Sequence, residues 1–169
     1  MSNKSVVLRF RDLVTDEGGT VSEHKSLIRS HDYTWWGWMM RPQEKVPRTL
    51  LCELRKTIDS KGKAEIFLFD TGIIQLYRCE LSRLAVAPNG TKIASPEPEK
   101  TPEYYNRGRY PAWFGLSSIE LYVGERSEIV YDSFPTQPTN EALQKLHDDP
   151  LVLDNLRGHD VTLWAVRIP

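Results

Sequence analysis

Apolar and polar side chains alternate from Val6 to Arg11, with Val7, Arg9 and Arg11 set against Val6, Leu8 and Phe10. A period of two predicts a half-buried strand that opens the fold. Asp16-Glu17-Gly18-Gly19 predicts a turn. Thr20 and Glu23 then have the spacing of a capping box, so a short helix to about Ser30 is expected, with Val21, His24, Leu27 and Ile28 on one face. Tyr33 to Met39 predicts a second strand, ended at Arg41-Pro42 because proline removes a ladder donor. Pro47 suits the first turn of another helix, where Leu50, Leu51, Leu54 and Ile58 recur at helical spacing before Gly62 closes it. Strands over 64–69 and 73–87 flank Asp70-Thr71-Gly72, the short glycine-containing connection of an antiparallel hairpin.

Residues 88–112 carry five prolines and Asn89-Gly90, which predicts a long loop. Strands are expected over 113–123 and 128–134, with a turn at Gly124 between them. Thr139 is placed to cap a helix holding Leu143 and Leu146, residues 150–156 to form a shorter helical piece, and Val161 to Ile168 to close the sheet. Six or seven strands with few short helices predict an α+β fold. A single ligand-binding domain over 1–169 is expected, built on a bent, mainly antiparallel sheet or a partly closed β-barrel.

Composition supports a globular chain, with 27% charged and 40% hydrophobic residues. A chain of 169 residues can bury a sufficient core without disulfides or metal. No apolar run approaches the roughly 20 residues of a membrane span, and Met1 to Ser5 does not begin a signal peptide, so a cytoplasmic protein without membrane contact is expected. Cys52 and Cys79 both fall in apolar patterns and are expected to be buried thiols. A formal net charge of −1 argues against a broad, sequence-independent grip on nucleic acid, while leaving room for a local basic patch.

Three of the five tryptophans fall within Trp35-Trp36-Gly37-Trp38. On a strand, Trp36 and Trp38 share one face and Trp35 takes the other with Gly37. Glycine at such a position marks a place where a ligand or another backbone comes close. Indole surface beside that gap suits a planar or cationic ligand. Tyr104 and Tyr105 lie in the proline-rich loop with Arg107 and Arg109, which makes a lid able to stack on a base and grip an anion. The predicted ligand site is therefore Trp35, Trp36, Trp38, Tyr104, Tyr105, Arg107 and Arg109. The chain contains no nucleophile elbow, phosphate-binding loop, dinucleotide fingerprint or zinc-protease motif. His24 and Glu44 are the weak acid–base candidates, and neither His31-Asp32 nor His147-Asp148-Asp149 has the spacing of a metal site. No cofactor is expected.

The Trp-rich strands, Trp113-Phe114 at a strand start and the closing Leu163-Trp164-Ala165-Val166-Arg167 resemble the PUA-like superfamily, especially its EVE and ASCH branches. That resemblance implies a barrel holding a modified nucleobase, a nucleotide or an RNA element in an aromatic pocket. Thr20-x-x-Glu23-His24 followed by Trp35-Trp36-Gly37-Trp38 also resembles an amino-terminal module of prokaryotic multidomain proteins that carry a phosphoesterase. This second likeness implies a sensor working with an effector domain or protein. The expected function is thus a binding module for a planar, nucleotide-like ligand, or for nucleic acid with a modified base. Two alternatives stand beside it: an enzyme acting on a nucleotide or RNA, and a protein-interaction domain that uses the tryptophans.

Overall fold

The computed structural model describes residues 3–12, 18–133, 136 and 161–168. Elements follow in the order β1 (Asn3–Phe10), α1 (Gly19–His31), β2 (Thr34–Gly37), α2 (Arg48–Lys61), β3 (Ala64–Asp70), β4 (Gln75–Val86), β5 (Ile93–Ala94), β6 (Arg109–Tyr110), β7 (Ala112–Leu121), β8 (Val130–Ser133) and β9 (Leu163–Ile168). Short 3-10 turns occupy Pro98–Lys100 and Arg126–Glu128. The helices expected after Thr139 and over 150–156 lie outside the described residues.

Seven strands form one sheet in the order β2-β7-β4-β3-β1-β9-β8. Among the described residues only β1 and β3 run parallel, because a parallel neighbour needs a long crossover and the stretch α1-β2-α2 supplies it. The fold is therefore α+β with a mainly antiparallel sheet, as the strand pattern predicts. β1 departs from the half-buried expectation. Held between β3 and β9, it buries both faces, with Val6 and Leu8 in one core and Val7 in another.

The first core receives Val21 from α1 and Leu51 and Leu54 from α2, packed on Ile66, Leu68, Leu81, Phe114 and Leu116. Full burial of each such side chain contributes roughly 1.5–3 kcal/mol. The second core gathers Val7, Phe67, Phe69, Trp164 and Val166. Cys79 is buried, but Cys52 is exposed on α2, one position past the apolar stripe that Leu51 and Leu54 define.

Two register shifts bend the long β4–β7 pair, one after Glu80 and one after Leu81. Unpaired residues of this kind increase local twist. Gly115 is required there, since a Cβ would stand 2.6 Å from that of Arg83. The bend curls the sheet so that the chain leaving β2 meets the start of β9: the indole Nε1–H of Trp38 donates to Thr162 Oγ1 at 2.9 Å. β2 and β8 remain its edges, so the sheet is not closed into a barrel.

Three local expectations change. Thr20 does not cap α1, because the helix begins one residue earlier, at Gly19. Asp12 takes the capping role, accepting from Gly18 N at 2.7 Å and Thr20 N at 3.3 Å. The hairpin turn is held by Asp70 Oδ1, which accepts from Gly72 N at 2.8 Å, but its positive φ falls on Ile74 (53°) rather than on the glycine. The proline-rich segment is also more ordered than a plain loop, for β5 pairs with β6.

Candidate functional site

The strand alternation of the tryptophans is realised. Trp36 and Trp38 join the first core, while Trp35 packs with Trp113 and Tyr105 in a third aromatic cluster. All three are buried, however, so no indole stands as an open plate. The close approach at Gly37 comes from within the protein: a Cβ there would overlap the Tyr110 ring. Trp35 turns its Nε1–H to Glu97 Oε1 at 3.1 Å, an oxygen that also accepts from the Tyr33 hydroxyl at 2.6 Å. Tyr33's hydroxyl holds that carboxyl below the ordinary glutamate range.

Trp36 and Trp38 border a cavity of about 510 Å³ between the ends of β1 and β2. Its wall continues through Phe10, Met39, Met40 and Tyr105, and Arg9, Arg11 and Arg41 supply cationic groups. The volume lies within the roughly 300–1,000 Å³ of small-molecule sites. Arg9 and Arg41 have partners of their own within the protein. Arg11 also borders a smaller cleft with Asp12 and Asp70. Thr71 and Thr162 add hydroxyls to the lining.

Tyr105 is the one loop residue of the predicted set that reaches this cavity. Its ring lies 6.3 Å from that of Trp36 and 4.8 Å from that of Tyr104, and its hydroxyl donates only to the Met39 thioether, at 3.6 Å. Tyr104 packs behind it in the third cluster. Arg107 and Arg109 are exposed and do not border the cavity.

His24 is fully buried against the same aromatic wall. Its ring is 4.4 Å from Trp36 and 5.7 Å from Tyr105. Nδ1 lies 2.7 Å from the Thr20 carbonyl, which can only accept, so Nδ1 carries the proton and Nε2 presents a lone pair. Nε2 has no hydrogen-bond partner. Burial holds the imidazole down to about 4; the carbonyls of Thr20 and Trp35 favour the protonated form, but lost hydration outweighs them.

Glu44 sits elsewhere, as a clamp. Its Oε1 accepts from Arg41 N at 3.0 Å and Thr162 Oγ1 at 2.5 Å; its Oε2 accepts from Thr136 Oγ1 at 2.6 Å and Thr162 N at 3.2 Å. The carboxylate thus fixes Thr162, which in turn holds the Trp38 indole at the cavity wall. The two acid–base candidates share none of these hydrogen-bond partners.

Sequence reasoning missed Phe10, Arg9, Arg11, Arg41 and Thr162 as lining residues. The alternation places Arg9 and Arg11 on the polar side of a strand, and Arg41-Pro42 marks only a strand end. The run Met39-Met40-Arg41-Pro42 directly after the tryptophans is the local signal that could have drawn attention. Among the described residues, no three His, Cys, Asp or Glu side chains gather as a metal site requires. No helix among them is long and apolar enough to cross a membrane.

Fold and site together define an α+β domain whose curled, mainly antiparallel sheet carries an aromatic cavity with arginines at its border. A family model described as Pua-like matches residues 6–168, and the chain belongs to that family. Membership brings the coarse expectation of a nucleic-acid or nucleobase partner. No curated protein and no solved structure matches the chain.

Proposed function

We propose that the cavity between β1 and β2 binds a planar, nucleotide-like ligand, free or as part of a nucleic acid. The observation that carries this reading is the joining of Trp36, Trp38, Phe10 and Tyr105 with Arg9, Arg11 and Arg41 around one cavity of nucleotide-binding size. The base would enter against Phe10, Met39 and Met40, over a floor braced by the two indoles. The arginines would take the anionic part, since guanidinium groups match phosphate bidentately. Trp35, Tyr104, Arg107 and Arg109 would contribute only from outside the cavity, the arginines through movement of the loop over its mouth.

Catalysis through His24 and Glu44 has weaker support, because Glu44 spends both oxygens on four donors and His24 is sealed. A protein interface built on the tryptophans is also weaker, because their rings are buried.

Calorimetric titration of nucleosides and their monophosphates tests the proposal. Arg11→Ala and Arg41→Ala should each weaken monophosphate binding about fivefold to tenfold, with little effect on the nucleoside. Equal affinities of both variants and the parent for every phosphorylated ligand would remove the arginines from the site. Arg107→Ala and Arg109→Ala in the same titration report whether the loop contributes.

A further inference from the structure

We infer that Tyr105 is a gate, and that behind it His24 Nε2 accepts a hydrogen bond from an N–H group on the edge of the bound base. This inference rests on the nucleotide reading of the same cavity. A buried acceptor without a partner is costly, and native structures retain few of them. His24 Nε2 is such an acceptor, on a side chain with no exposed surface. The nearby Trp35 carbonyl offers no relief, for a carbonyl is itself an acceptor. The Nδ1 contact with Thr20 fixes which nitrogen bears the lone pair.

Trp36 and Tyr105 both lie against this imidazole and both border the cavity, which His24 itself does not line, and they differ in how their side chains are held. Trp36 sits on β2, paired to Phe114 of β7, and is packed edge-on by Phe10 at 5.0 Å. Tyr105 belongs to a turn in the segment between β5 and β6, and its hydroxyl has only a thioether for a partner. Met39, which carries that sulfur, is itself 56% exposed. Displacing Tyr105 therefore breaks no strong side-chain hydrogen bond, although it lifts the ring from Trp36, Tyr104 and Tyr110, and it opens the His24 surroundings toward the cavity. A planar ligand with an N–H donor can then take the place of the phenol ring and satisfy Nε2 in the same step. A base bearing no N–H on that edge leaves the acceptor orphaned and binds less well.

Two measurements decide the matter. Diethyl pyrocarbonate acylates accessible neutral imidazoles, and half-buried His31 serves as an internal reference. Removing the gate in Tyr105→Ala should raise the His24-to-His31 reactivity ratio about tenfold. Tyr105→Leu, which keeps apolar bulk, serves if the alanine variant melts. An unchanged ratio in a folded variant overturns the gate.

Adenosine monophosphate against its N6,N6-dimethyl form, and uridine monophosphate against its 3-methyl form, then probe the acceptor. At least one N–H-bearing ligand should bind about tenfold more tightly than its methylated partner, the worth of one hydrogen bond, and His24→Phe should abolish that preference. A preference that survives in His24→Phe, or none in either pair, overturns the acceptor role. If no nucleotide binds the parent protein, the nucleotide reading and the acceptor role fall together, and the reactivity ratio alone decides whether the gate exists.

Discussion

Acidification should destabilise this protein through His24 in a way that one substitution can isolate. The imidazole is buried and neutral, and burial holds it at about 4, whereas an unfolded chain titrates it near 6.5. Between those two values the unfolded state binds the proton and the folded state does not, so stability falls as pH drops through the window. Above about 6.5 the full stability is present; below about 4 the loss is complete. At about 1.4 kcal/mol per pH unit, the gap amounts to about 3 kcal/mol. That is a large share of the roughly 5–15 kcal/mol that holds an ordinary domain folded. Urea unfolding followed by tryptophan fluorescence, in steps from about pH 7.5 to about pH 4, measures the slope. His24→Phe preserves a ring against Trp36 and Tyr105 but has nothing to protonate, so its curve should be flatter by about 3 kcal/mol over the same range. Parallel curves for the two proteins would refute the reasoning. They would mean that His24 charges in place, with water or a rearranged carbonyl compensating it.

Two further predictions follow from the packing. Glu44→Ala should cost about 3 kcal/mol or more in urea unfolding, since it strands buried donors on Thr136 and Thr162, whereas Glu44→Gln should cost clearly less by keeping one oxygen. Gly37→Ala should lower stability by about 1–3 kcal/mol, because its methyl would overlap the Tyr110 ring, and Tyr110→Ala in the same chain should recover part of that loss in a double-mutant cycle.

Most of the sheet was legible because its signals are local. Period-two alternation marked β1 and β9, Asp70 marked the β3–β4 turn, and Leu50, Leu51, Leu54 and Ile58 marked the buried stripe of α2. The cap of α1 was not legible, because Asp12 reaches it from outside the helix and Thr20 mimics the right spacing. The tryptophan faces were read correctly, but their openness was not. Whether an indole is a wall or a floor depends on what lands on it, and here His24, Phe10 and Tyr105 land on Trp36 from three separate segments. The arginines of the cavity were hidden for a related reason. Arg9 and Arg11 meet Arg41 only because β2 joins the sheet beside β7, at the edge opposite β8, and the bent β4–β7 pair then carries the end of β2 round to the end of β1. No short window of sequence encodes that meeting. What the sequence did place is an aromatic strand and a histidine on the helix just before it. The orphaned nitrogen emerges only when α1 lays that histidine on Trp36, which is why the same residue reads as a face-packing histidine in the chain and as an unsatisfied acceptor in the fold.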